Sequence, residues 1–287
     1  MIKITTIFAA ALIGLGLAAP VTAQEAGHTE AAKQHWSFAG IFGTYDQNQL
    51  QRGFQVFREV CASCHSARLL AFRNLAEEGG PAFSEGQVKE LAAQYEVSDV
   101  TVAGGKRKAL PADHWPSPFA TELDARDANG GAFPPDMSVL AKARSIEDGF
   151  PGWVFNYFTT YAEGGPDYIH ALLNAYSEEV PAGVTNSDGT PFTLPEGKYF
   201  NAVFPSNSIG MPPPLSDGQI EYAAAADGTT VPLTVEQYSK DVSAFLMWVA
   251  EPHLDNTKSA GFKVLAFLLL FAALMYLVKQ RLWRKVH

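Results

Sequence analysis

Cysteine is scarce in this chain. Its 287 residues hold two, Cys61 and Cys64, both in "REVCASCHSARLL" at 58–70. A bridge across that two-residue gap would constrain very little backbone, so a disulfide framework does not stabilise the fold. Zinc needs four ligands at known spacings, and no second cysteine pair exists. A redox dithiol calls for a strand–helix setting in a βαβ unit, which the neighbouring sequence lacks. Phosphate-cradling glycine loops and nucleophile–base arrangements are missing as well, which removes the usual signatures of a group-transfer or hydrolytic enzyme. Basic residues are also few, 21 against 30 acidic ones for a net charge of −9, and that balance argues against nucleic-acid binding. Long apolar runs are confined to the two ends.

Those ends set the topology. Residues 1–23, "MIKITTIFAAALIGLGLAAPVTA", carry Lys3, an apolar run and small residues ending Val21-Thr22-Ala23, the layout of a secretory signal peptide cleaved after Ala23. Residues 259–278, "SAGFKVLAFLLLFAALMYLV", have Lys263 as their only charge. As a helix they would span about 30 Å, the thickness of a bilayer core. The tail at 279–287, "KQRLWRKVH", places Lys279, Arg281, Arg284 and Lys285 directly after the span, so it is expected to face the cytoplasm. Residues 24–258 then form a domain on the far side of a bacterial inner membrane, in the periplasm. Setting aside Lys3, Lys263 and the four tail cations, that domain has 15 basic residues against 30 acidic ones, a net −15. Such a field attracts a basic protein partner.

What is present is C-x-x-C-H: Cys61, Cys64 and His65 form the attachment sequence of one c-type haem, held by two thioether bonds with the histidine as axial ligand. Upstream, "YDQNQLQRGFQVFREVCASCH" reads as an amphipathic helix capped at Asp46 and Gln49, with Leu50, Phe54, Phe57 and Cys61 along one stripe. For the iron's sixth ligand, methionine is a common choice. Met275 lies in the anchor. Met247 falls in "TVEQYSKDVSAFLMWVAEP", a helix opened by a Thr234…Gln237 capping box, closed before Pro252 and striped by Tyr238, Val242, Phe245 and Val249, so it reads as packing. Met137 in "GAFPPDMSVLAKAR" reads as the first turn of a helix capped by Asp136. Met211 in "NSIGMPPPLSDG" sits beside three prolines that stiffen its loop. The chemistry favours Met211 and leaves Met137 open.

In order along the chain, "QRGFQVFREVCASCHS", "GAFPPDMSVLAKAR", "KYFNAVFPSNSIGMPPPL" and "SKDVSAFLMWVAEP" followed by one C-terminal anchor closely resemble the cytochrome c1 family. The likeness runs from about Asp46 to the end of the anchor. It implies a mainly α, c-type cytochrome fold with long loop insertions plus one transmembrane helix. It implies Met211 as the second axial ligand, Pro134 and Pro135 lining the haem face, and Arg144 pairing with a haem propionate. The stretch 161–197, rich in Gly, Pro and acids, is expected to be an irregular, exposed insertion.

The same resemblance implies a function and partners. The chain would be the electron-transfer subunit of a quinol–cytochrome c oxidoreductase, the cytochrome bc1 complex, with no substrate-converting site of its own. It would take one electron from a Rieske iron–sulfur subunit and give it to a soluble, basic cytochrome c. Cytochrome b would house the quinol chemistry, and the complex would be dimeric. A free-standing, membrane-anchored electron carrier is the competing reading.

Overall fold

The structure, a computed structural model, describes residues 31–146, 150–159, 161–186, 188–223 and 230–284. The signal peptide expected over residues 1–23 and Lys285 lie outside them. Asp46 opens the first helix, α1 (Gln47–Glu59), by accepting from the Gln49 amide at 2.9 Å. Leu50, Phe54 and Phe57 are buried along it, as the stripe predicts, and Val56 is buried beside them. The helix stops earlier than its periodicity suggests: Cys61–Ser63 is a single 3-10 turn.

The rest of the chain is mostly short helices joined by loops. After a 3-10 turn at Phe72–Ala76 come α2 (Glu85–Ala92) and a hairpin of β1 (Glu96–Ser98) and β2 (Lys106–Lys108). They are followed by α3 (Glu122–Ala128), α4 (Leu140–Ala143), α5 (Gly152–Thr159) and α6 (Gly164–Asn174). Strands β3 (Tyr176–Ser177), β4 (Tyr199–Asn201) and β5 (Ser208–Ile209) form one small antiparallel sheet in that order. Helices α7 (Val235–Ala250) and α8 (Leu254–Trp283) end the chain.

The core is built by α1, α6 and α7. At Gly53 an added Cβ would lie 2.1 Å from the Asp241 carbonyl oxygen and 2.6 Å from the Phe245 Cβ, so glycine lets α1 and α7 touch backbone to backbone. Arg52 locks the crossing with a two-pronged bond to Asp241, Nε to Oδ2 at 2.9 Å and Nη2 to Oδ1 at 3.1 Å, and Asp241 is fully buried. Phe54, Phe57, Phe72, Tyr95, Trp115, Phe245 and Trp248 interlock around this crossing, for example Phe57–Phe245 with ring centroids at 5.5 Å. Each such pair adds about 0.5–1.5 kcal/mol beyond simple burial.

Three expectations need correction. The stretch 161–197 is not irregular throughout: its first part is α6, in which Gly164, Gly165, Pro166, Asp167, Ile169 and His170 are buried. The glycines that resembled loop punctuation are there for close packing, since a Cβ on Gly165 would lie 1.6 Å from the Ala141 carbonyl oxygen of α4. Asp167 is buried because it accepts from Trp36 Nε1 and the Gln34 amide, both at 2.8 Å, and from the Tyr161 hydroxyl. Second, Met137 precedes its helix: α4 starts at Leu140, and Asp136 accepts from Ser66 and Arg68 through Oδ2 and from the Ser138 amide through Oδ1 instead of capping a helix. Third, Thr234 caps α7 by accepting from the Gln237 amide, but the Gln237 side chain turns to Asp241 instead of closing the capping box.

Helix α8 has 30 residues with none buried, long and apolar enough to cross a membrane. It begins at Leu254, before the apolar run, so its first turn belongs to the globular part.

Candidate haem-binding site

At the end of α1 the Cys61 carbonyl accepts from two amides, Cys64 at 3.1 Å and His65 at 2.9 Å. That tight turn presents Cys61, Cys64 and His65 together. Neither cysteine is in a disulfide; Cys61 is half-buried and Cys64 exposed. Burial pushes the Cys61 thiol up to about 12.

His65 is 7% exposed, and its Nδ1 lies 2.8 Å from the Pro135 carbonyl oxygen. A carbonyl only accepts, so Nδ1 must carry the proton and Nε2 keeps its lone pair. Burial holds His65 below the usual histidine range, against the opposing pull of the Pro135 carbonyl and Asp136, which favours the neutral ring. A neutral imidazole oriented through its other nitrogen is the form that ligates a metal.

The segment carrying Pro134 and Pro135 is zipped onto the stretch behind His65. Ser66 Oγ and the Arg68 amide donate to Asp136 Oδ2 at 2.8 and 3.0 Å, and the Leu69 amide donates to Ser138 Oγ at 3.0 Å. The Met137 amide donates to the Ser66 carbonyl at 2.7 Å, and Met137 is buried in the core. Burial works against the Asp136 carboxylate, but its bonds from Arg68, Ser138 and Ser66 outweigh that and hold it below the usual range. Met137 is thus tied to the backbone on His65's own side. Pro134 is half-buried and Pro135 exposed.

Met211 arrives from the small sheet. β5 pairs Ile209 with Tyr199, and Gly210 then passes so close to the Pro134 segment that an added Cβ would meet Ala132 Cβ at 3.0 Å. The Tyr176 hydroxyl donates to the Met211 carbonyl at 3.1 Å. Burial raises the Tyr176 phenol, as does Tyr168 beside it, while Tyr168 in turn feels the Arg144 guanidinium. Arg144 is exposed. Sequence reasoning missed Tyr176, Asp136 and Ser138. Tyr176 lies 35 residues from Met211 with no motif between them. Asp136, read only as a helix cap, could have been placed, because a carboxylate directly after a Pro-Pro step is well positioned to accept from nearby amides.

The donor set fits a covalently held haem: two thiols outside any disulfide, an oriented neutral imidazole, and a thioether on a stiffened loop. Comparison with known proteins agrees. The Cytochrome C1 family model matches residues 36–286. Cytochrome c1 of Blastochloris viridis is 45% identical over 99% of this chain and 98% of its own length. Cytochrome c1 of Rhodospirillum rubrum is 43% identical over 98% and 99%. A protein of Bradyrhizobium diazoefficiens named cytochrome b/c1 is 49% identical over 97% of this chain, which spans only 39% of that protein's length.

Proposed function

The chain belongs to the cytochrome c1 family, whose members carry covalently bound haem c, and from that premise we propose that it is the electron-transfer subunit of a cytochrome bc1 complex. It receives one electron from a Rieske iron–sulfur subunit and delivers it to a soluble, basic cytochrome c. When bound, haem c supplies a one-electron couple, and the protein sets its potential, access and orientation.

Each residue's task follows from its surroundings. Cys61 and Cys64 would hold the haem through thioethers. His65 would offer Nε2 as one iron ligand because Pro135 engages Nδ1, and the Asp136 and Ser138 bonds keep that carbonyl in place. Met211 would supply a thioether as the other, with Tyr176 holding its backbone. Met137 is packing in this reading, its side chain buried in the hydrophobic core. Pro134 and Pro135 would line the haem pocket, and Arg144 would pair with a propionate, a charge-assisted contact suited to a guanidinium. The observation that carries the reading is the His65–Pro135 bond at 2.8 Å within C-x-x-C-H.

Residues 1–23 direct export, 24–258 form the periplasmic haem domain, 259–278 lie in the membrane and 279–287 in the cytoplasm. A single span cannot house quinol chemistry, so cytochrome b must supply it; the relative named cytochrome b/c1 supports that pairing. The complex is a dimer in this reading. Purification from membranes in mild detergent tests it: a multi-haem cytochrome b and an iron–sulfur protein should travel with the chain in fixed ratio. A chain that purifies alone with its haem intact is a free-standing carrier instead.

A further inference from the structure

The N-terminal part of the haem domain packs on the first turns of α8. Lys258 donates to the carbonyls of Phe38 and Gly43 at 2.5 and 3.1 Å. The Tyr45 amide donates to Asp255 Oδ2 at 3.3 Å, and the Tyr45 hydroxyl to the Glu251 carbonyl at 3.2 Å. The loop between these anchors is Gly40-Ile41-Phe42-Gly43. Gly40 adopts φ +69°, and a Cβ on Gly43 would sit 2.1 Å from the Ala39 carbonyl oxygen, so glycine is needed on both sides of the tip. The base is rigid and buried, with Trp36 2% and Phe38 1% exposed. The tip is apolar and open, with Ile41 56% and Phe42 78% exposed.

A lone exposed apolar residue needs no explanation, but this pair has a particular position. The Phe42 ring lies 6.5 Å from that of Phe262, the first aromatic of the apolar run in α8. The tip is therefore level with the point where the helix leaves the polar domain, and it continues the apolar surface of the span. Rigid aromatic and aliphatic tips at that depth sit at the headgroup–acyl boundary. We propose that the Gly40–Gly43 loop is a second membrane contact, with Ile41 and Phe42 inserted into the lipid interface beside α8. Only Glu251, Pro252 and His253 separate α7 from α8. With the Lys258 clamp and the inserted tip, the haem domain is held to the bilayer at two points and its tilt is fixed. The inference rests on α8 being the span.

Spin-label accessibility tests it on the full haem-loaded chain in phosphatidylcholine–phosphatidylglycerol liposomes. The haem thioethers leave no native thiol to label, so Phe42→Cys, and Ile41→Cys as a second variant, each take one nitroxide. Leu268→Cys marks the middle of the span, and Val100→Cys, 97% exposed in the β1–β2 connection, marks water. The label at 42 or 41 should relax with oxygen over a water-soluble nickel chelate, resembling 268 more than 100. A nickel-accessible label matching position 100 overturns the proposal. A nickel-accessible label at 268 overturns the span itself, which is a separate failure. The labels should keep oxygen access in the intact complex; losing access to both reagents there would mean that a protein subunit covers the loop, which also overturns it.

Discussion

At the scale of single residues, the site works by fixing backbone around side chains that must not move. His65 is oriented by a carbonyl, that carbonyl by Asp136 and Ser138, and Met211 by the Tyr176 hydroxyl. Replacing Tyr176 by Phe keeps the ring and removes only the donor. The expected cost is about 0.5–1.5 kcal/mol against denaturant, the worth of one neutral hydrogen bond. In the oxidised protein the long-wavelength sulfur-to-iron band should weaken while the haem stays attached. A band and stability identical to wild type would show that Tyr176 does not support Met211. Cys61, Cys64 and His65 were readable because they follow one another. The proposal of Met211 as a ligand rests on its prolines and the family likeness. Pro135 was expected as a lining group, yet its main contact is through a carbonyl, and every residue has one.

At the scale of elements, the joint between α6 and α7 was the part least legible in sequence. Glycine and proline at the start of α6 mimic a loop, and α7 is buried around nearly its whole circumference, including Ser239, Asp241 and Ser243, which blurs its stripe. The polar residues there are paired across the joint. The Ser239 hydroxyl donates to the Glu236 carbonyl, so its oxygen accepts from Asn174 at 2.7 Å and from His170 Nδ1 at 2.9 Å. His170 thus carries a proton on Nδ1. Burial, followed by Lys240, holds it below the usual histidine range, against smaller opposing pulls from Glu236 and Asp167. A folded-state value below the unfolded one, near 6.5, gives stability that is present above about pH 6.5 and is lost as pH falls through the folded value. Thermal stability should therefore fall from pH 7.5 to 5.5 more in wild type than in His170→Gln, which keeps a hydrogen-bonding side chain and cannot titrate. Equal pH dependence in the two proteins would place the sensitivity elsewhere. By contrast, α1 and α8 were legible because each has one dominant pattern, a Phe stripe or an uninterrupted apolar run.

At the scale of the whole molecule, charge and anchoring divide the work. Residues 24–258 carry −15 by composition, and the other six cations are Lys3, Lys263 and the four of the tail. A long-range field of that sign speeds encounter with a basic cytochrome c, and salt screens it over about 10 Å at 0.1 M. The second-order rate constant should therefore fall as ionic strength rises; a rate independent of salt would remove steering from the account. The anchor explains why a soluble-looking domain with one haem belongs in a membrane complex. In the proposed site the iron would be closed on both faces, by His65 and Met211, so that it relays electrons and takes no substrate. Carbon monoxide binding to the reduced, haem-loaded chain and its Met211→Leu variant, alongside a redox titration of both, tests that claim most directly. The wild-type protein should remain six-coordinate and resist carbon monoxide, while Met211→Leu should bind it readily at a sharply lower potential. An unchanged potential and a closed iron in Met211→Leu, with both altered in Met137→Leu, would contradict the account.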